Sequence, residues 1–335
     1  MSTFRLGVIG PGLIWERAHR PQIESLSGVF EPVAFSGRSD TTEAKVRRDY
    51  PEARFYRDYR ELIADPEVDG VVILTPIPLN APLAMEVLRA GKVALMEKPI
   101  GVSVEEARRL CEVEAETDGR IYVLEQAPYN PVWETMDRVI RDGRIGRVAG
   151  YETARHVLLD AGTAPERGYG DTDWRIHPEY PLGVLFDGGV HELATHARLF
   201  GAPRRVQAVG RSYRESYGDY DHVSMILEYE DGILGTFCHS GYLDGDRNFF
   251  VLRGTEGLIY YSDDEFVLER KDGEREELPR PELSAHAAMW RQIAERIGEG
   301  RPADYSARDG LREIETLEAV QKSVDEGLRL TVERL

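Results

Sequence analysis

Short apolar runs alternate with amphipathic stretches through the first 126 residues. FRLGVIG (4–10), FEPVAFS (30–36), DGVVILTP (69–76), KVALME (92–97) and IYVLEQ (121–126) read as strands. Between them, apolar residues recur at helical spacing from about Leu13 to Leu26 and over 41–50, 59–65, 80–91 and 103–119. Asp40 or Thr41 is placed to cap the second of these helices, and Gly91 to close the fourth. Strands that are apolar almost throughout, separated by helices, predict a parallel sheet covered on both faces. This is an α/β doubly wound pattern, the kind that binds dinucleotides at the ends of its strands.

After residue 126 the pattern changes. A helix is predicted over 130–146, a long strand over 146–158 and a helix over 187–201, with an irregular stretch rich in Asp, Gly, Pro, Tyr and Trp at 158–182. Strand-like runs follow at 204–213, 221–230, 232–242, 248–257, 258–264 and 265–273, joined by the turn sequences EDG, TEG and KDG. Two helices, about 284–299 and 307–327, close the chain. The second part is therefore an α+β domain with a mainly antiparallel sheet, and the expected division is 1–126 and 127–335.

The bulk properties narrow the class. A chain of 335 residues, 41% hydrophobic and 30% charged, has room for two ordinary cores. A net charge of −18 argues against nucleic acid and anionic membranes as partners. It does not bar an anionic cofactor, because a glycine loop ahead of a helix can hold a phosphate against a global field. Cys111 and Cys238 read as buried free thiols. With no apolar run of membrane-spanning length and no leader sequence, a cytoplasmic protein is expected.

Gly10-Pro11-Gly12 follows the first strand, and Leu13 and Ile14 open the helix behind it, so the backbone there can approach a pyrophosphate. The third small residue of that fingerprint is replaced by Trp15. The second strand ends Ser36-Gly37-Arg38-Ser39, with Gly37 where an acid would bind an adenosine ribose. A guanidinium and a hydroxyl suit a 2′-phosphate, which favours NADP over NAD. The same residues also suit a solvated loop.

Lysine is rare in this arginine-using chain: Lys45, Lys92, Lys98, Lys271 and Lys322 are all there are. Lys98 ends a parallel strand, where open sheets of this kind place their ligands. A compact ammonium there can hold a hydroxyl oxygen, or simply pair with Glu97 before the Pro99 turn. Asp187 and His191 are four residues apart, on one face of the predicted helix. An imidazole suits removal of a hydroxyl proton, and Asp187 could also cap the helix. His191, Glu192 and His196 have a spacing one residue too long for a helical zinc pair, so no metal is expected. His196, His156, His222 and His286 read as structural. Trp174, Arg175 and Tyr180 could line a pocket for a sugar-like molecule or pack a loop.

GVIGPG, LTP, AGKVALMEKP, DWR and GVLFDGGVH occur in this order, and ARDGLREIETLEAVQKSVDEG closes the chain. Together they resemble the glucose–fructose oxidoreductase, inositol dehydrogenase and MocA family of pyridine-nucleotide oxidoreductases over essentially the whole chain. The resemblance implies a Rossmann domain, an open-faced sheet domain used for substrate and oligomerisation, and an active site in the cleft between them. It implies that Thr75, Pro76, Asn80, Glu97 and Lys98 lie along NAD or NADP, with the lysine reaching the nicotinamide ribose and the substrate oxygen. Asp187 and His191 match the family's acid and catalytic histidine. Asn80 stands where many members have His, and Ala194 where many have an acid, which leaves the substrate open. Some members use a tyrosine as acid, so Tyr129 and Tyr180 are further candidates. The expected activity is hydride transfer on a sugar, cyclitol or related polyol by a homodimer or homotetramer. A redox-assisted glycosidase or epimerase, or a non-catalytic cofactor sensor, are the alternatives on the same scaffold.

Overall fold

The computed structural model describes residues 3–159, 168–243 and 248–333. The chain forms two compact units, 1–129 with 285–311, and 130–284 with 312–335. This differs from a single cut at 126, because residues 285–311 belong with the first unit. The reason is the apolar stripe of the helix Ala285–Glu299, whose Met289, Trp290 and Ile293 are buried in the same core as Leu6, Ile23 and Phe30. The Trp290 ring meets Phe30 edge-on at 5.5 Å, and the Tyr122 hydroxyl donates to the Arg301 carbonyl at 2.6 Å.

The first unit is built on β1 (Phe4–Ile9), β2 (Phe30–Ser36), β3 (Arg54–Tyr56), β4 (Gly70–Ile73), β5 (Val93–Glu97) and β6 (Ile121–Leu124). They form a parallel sheet in the order β3-β2-β1-β4-β5-β6. Every residue of β4, β5 and β6 is buried, which is why these runs carry no polar alternation. The strand order reverses at β1, so the loop after β1 opens at the switch point where such sheets bind ligands. Two features of the helices correct the expectations. The helix after that loop starts with a wide π-turn, Trp15–His19, before Arg20–Ser25. Trp15 is buried there against Phe35, with ring centroids 5.7 Å apart, and against Tyr50. The helix Asp40–Asp49 is capped by Ser39, whose hydroxyl accepts from the Thr42 amide at 3.1 Å, and not by Asp40 or Thr41.

The second unit carries β7 (Val148–His156), β8 (Arg205–Arg211), β9 (His222–Glu228), β10 (Leu234–Ser240), β11 (Phe249–Gly254), β12 (Gly257–Ser262), β13 (Phe266–Arg270), β14 (Arg275–Glu277) and β15 (Leu330–Thr331). Their order is β14-β13-β12-β11-β7-β10-β9-β8-β15. All neighbours are antiparallel except β7 and β10. Strict alternation buries Val206, Ala208, Met225, Leu227 and Phe237 on one face. Gln207, Val209, Ser224, Ile226 and Thr236 are exposed on the other. Of the irregular stretch expected at 158–182, residues 160–167 lie outside the described residues. The remainder contains two short helical turns, Tyr169–Asp171 and Asp173–Ile176. Both cysteines are free thiols, half-buried rather than buried. Among the described residues no helix is long and apolar enough to cross a membrane.

Candidate active site

In the first unit the loop after β1 has two glycines with different demands. Gly10 has φ +77°, and a Cβ there would fall 2.7 Å from the Leu74 carbonyl oxygen, so the fold itself requires glycine. Gly12 is exposed, and a Cβ on it would come no closer to protein than 3.8 Å. Among the described residues nothing crowds a Cβ at 12; a group lying over the loop would. Pro11 is buried, while Leu13 and Ile14 are half-buried at the start of the helix. A bare backbone surface at a helix N-terminus fits the pyrophosphate of a dinucleotide.

At the end of β2, Ser36 is buried and Arg38 and Ser39 are exposed. A Cβ on Gly37 would lie 2.8 Å from the Thr42 methyl, so an acidic side chain has no room there unless Thr42 moves. Arg57, which the sequence reading passed over, reaches across this loop. It donates to the Arg38 carbonyl at 2.8 Å and pairs with Asp40 at 2.6 Å and with Glu43. It follows β3, a three-residue strand too short to show as a pattern.

The end of β5 is held by a buried amide. Asn80 is fully buried; its Oδ1 accepts from the Thr75 hydroxyl at 3.0 Å and its Nδ2 donates to the Glu97 carbonyl at 3.1 Å. Pro76 precedes the helix Ile77–Arg89 that carries Asn80. The Glu97 carboxylate meets His19 Nε2 at 2.7 Å. Lys98 is half-buried, and its peptide bond to Pro99 is cis. Tyr129 belongs to this unit, and its hydroxyl accepts from the Tyr305 amide at 3.1 Å. Burial pushes its ionisation far above the usual phenol range.

The second unit gathers Trp174, Arg175, Tyr180 and Asp187. Asp187 sits inside a π-turn, Leu185–Gly189, ahead of the helix Val190–Phe200. The residue at the cap position of that helix is Gly189, not Asp187. Asp187 Oδ2 accepts from Arg175 Nε at 2.6 Å, between side chains that are 11% and 16% exposed. The guanidinium lies 4.0 Å over the Trp174 ring and 5.3 Å over Tyr169. Tyr180 is buried against Phe186, and burial, followed by the Asp187 charge, drives its ionisation up. His191 is half-buried in the first turn of the helix.

His239 is a second residue missed in the sequence. It lies on the covered face of β10, 2% exposed. Its Nε2 is 3.4 Å from the position of a Cβ on Gly188. Burial first, and Arg155 next, lower its ionisation to about 3, so an uncharged ring backs the Asp187 turn. The signal was available: a histidine at an inward position of an alternating strand. His196 is different. It lies among Tyr151, Phe237 and Phe250, its Nε2 3.0 Å from the Thr153 hydroxyl, and burial lowers it to about 3. Among the described residues no group of three or more His, Cys, Asp and Glu is placed to hold a metal ion.

Comparison with known proteins gives a consistent result. The family model described as "Oxidoreductase family, NAD-binding Rossmann fold" matches residues 4–125. The model of the GFO/IDH/MocA C-terminal domain matches residues 133–260. The chain is 23% identical to scyllo-inositol 2-dehydrogenase (NADP(+)) of Bacillus subtilis, over 99% of this chain and 97% of that one. It is 29% identical to trans-1,2-dihydrobenzene-1,2-diol dehydrogenase of Mus musculus, over 84% and 81% respectively. Among solved structures, an oxidoreductase of Thermotoga maritima superposes with a TM-score of 0.90 at 27% identity, covering 99% of both chains.

Proposed function

The chain belongs to the glucose–fructose oxidoreductase, inositol dehydrogenase and MocA family and is an NAD(P)-dependent dehydrogenase; from that premise we propose that it acts on a secondary alcohol carried by a polyhydroxylated ring, a sugar or cyclitol. The observation that carries the cofactor half of this reading is Gly12, a glycine the protein's own packing does not require. Scyllo-inositol and trans-1,2-dihydrobenzene-1,2-diol, the compounds in the relatives' names, both bear adjacent secondary alcohols on a six-membered carbon ring, which supports the substrate half.

When bound, the nicotinamide supplies the hydride acceptor or donor. Gly10, Pro11, Gly12, Leu13 and Ile14 would hold the pyrophosphate of the dinucleotide, and Ser36, Gly37, Arg38 and Ser39 would receive its adenosine ribose. The lack of room for an acid at Gly37 and the exposed Arg38 favour NADP over NAD. Thr75, Pro76, Asn80 and Glu97 shape the strand end from which Lys98 holds the substrate oxygen as charge develops on it. His191 takes the hydroxyl proton in oxidation and returns it in reduction. Asp187, fixed by Arg175, orients His191, and Trp174 and Tyr180 offer aromatic surface to the ring of the substrate. The protein works as a homodimer or homotetramer in the cytoplasm.

A panel of sugars, sugar acids and cyclitols with NAD+ and NADP+, followed by absorbance of the reduced cofactor, tests the activity. We expect at least one cyclic polyol to reduce NADP+ faster than NAD+. In the same assay His191→Ala lowers kcat by roughly a hundredfold or more, with cofactor Kd unchanged by fluorescence titration. A mutant with undiminished kcat removes His191 from the mechanism.

A further inference from the structure

A line of buried hydrogen bonds ends on the residue before Lys98. Trp290, on the helix Ala285–Glu299, places its indole Nε1 3.1 Å from His19 Nδ1. His19 Nε2 is 2.7 Å from Glu97 Oε1. Trp290 and His19 are fully buried, and Glu97 is 9% exposed. An indole N–H can only donate, so His19 Nδ1 must accept. An imidazole that accepts at Nδ1 carries its proton on Nε2, and that proton points at the Glu97 carboxylate. The line therefore runs in one direction, from Trp290 through His19 to Glu97.

His19 ends the π-turn Trp15–His19 and packs edge-on against Trp290 at 5.8 Å and His286 at 6.0 Å. A leucine would fill similar space but would take this acceptor from the buried Trp290 N–H and this donor from the Glu97 carboxylate. What the histidine adds is a fixed donor to Glu97, whose backbone carbonyl is already held by Asn80. Glu97 is thus gripped at both its carboxylate and its carbonyl, and the next residue is Lys98. Single π-turns of this kind are frequent at functional sites.

We infer that His19 and Trp290 are positioning residues for Lys98: they lock the Glu97 carboxylate, and with it the end of β5, in the orientation from which the lysine meets its oxygen. This rests on the reading above that Lys98 holds the substrate oxygen. His19 serves as a rigid spacer of fixed tautomer, and it exchanges no proton with substrate.

The test uses the full chain with His19→Gln, His19→Leu, Trp290→Phe and Lys98→Met. Glutamine offers an amide N–H to Glu97 and a carbonyl to Trp290; leucine offers neither. Side-chain 15N NMR of the protein without ligands reads the tautomer, and NADP+ turnover of the best polyol from the panel reads kcat and KM. We expect wild-type His19 to be the Nε2–H tautomer, and Trp290→Phe to keep that tautomer while the His19 Nδ1 resonance moves toward that of an acceptor nitrogen without a donor. His19→Leu should lower kcat by roughly tenfold to a hundredfold, the scale of a small misplacement of a reacting group, with cofactor KM little changed, and His19→Gln should recover most of the loss. A wild-type Nδ1–H tautomer overturns the inference. So does an undiminished kcat in folded His19→Leu, or an equal kcat loss in the Gln and Leu variants. If His19→Leu does not fold, Trp290→Phe, which keeps a ring in the core, carries the kinetic test alone. Lys98→Met separates the two readings: full turnover in that variant removes the lysine's role, while the tautomer measurement still reports on the line itself.

Discussion

Gly10 and Gly12 look interchangeable in the sequence, yet different forces keep them glycine. Gly10 combines a left-handed backbone with a carbonyl 2.7 Å from where its Cβ would be, whereas Gly12 faces open space. Gly10→Ala should therefore destabilise the unliganded protein by about 1–3 kcal/mol, read as a lower Tm. Gly12→Ala should leave that Tm unchanged and weaken NADP+ binding by titration. Equal Tm losses in the two variants would mean that Gly12 is also structural. At this scale the sequence was informative wherever a residue's neighbours are close along the chain. The glycine loop after β1 and Lys98 at the end of β5 were both legible. What was not legible came from pairings over distance: Arg57 over the Arg38 loop, His239 behind Gly188, and Arg175 as the partner of Asp187. Residue types alone do not say which of many arginines a carboxylate will meet.

Among the elements, long apolar runs were recovered and short ones were not. β3 and β14, at three residues each, and β15, at two, contribute too little apolar surface to show as a period. The sequence also could not show that β7 and β10 pair in parallel, because that depends on which edge a later strand joins. The helix Ala285–Glu299 was found, but its allegiance was not. Its apolar stripe is equally compatible with either core, and the choice is made by Phe30, Ile23 and the Tyr122–Arg301 hydrogen bond. Taking this helix away leaves a hole where Trp290, Met289 and Ile293 sat, and burying each such side chain stabilises by about 1.5–3 kcal/mol. A fragment ending at residue 129 should therefore lack cooperative thermal unfolding by circular dichroism. Adding a peptide of residues 285–311 should restore it. A fragment of residues 1–129 that melts cooperatively alone would show that the helix is dispensable to this unit.

Across the whole molecule, the two units should respond differently to acid. Burial lowers the ionisation of His156, His196 and His239, and all three belong to the second unit. His196 and His239 fall to about 3, while an unfolded chain takes up their protons near pH 6.5. The folded unit binds fewer protons than the unfolded one between these values, so its stability is full above about pH 6.5 and falls as pH drops toward about 3. Each of these histidines contributes a slope of about 1.4 kcal/mol per pH unit over that window. Carboxylates lowered by arginine neighbours, such as Asp49 in the first unit, begin to act only at lower pH. Mild acid should therefore loosen the second unit first. The four tryptophans make this measurable, because Trp15 and Trp290 lie in the first unit and Trp133 and Trp174 in the second. In a Trp15→Phe, Trp290→Phe protein, emission should report a urea midpoint that drops steeply between about pH 6.5 and 5. In a Trp133→Phe, Trp174→Phe protein it should drop less. His196→Phe, which places a ring among Tyr151, Phe237 and Phe250, should roughly halve the pH slope of the second unit. Midpoints that move together with pH in both reporter proteins would show that the units unfold as one and that the buried histidines do not set the order.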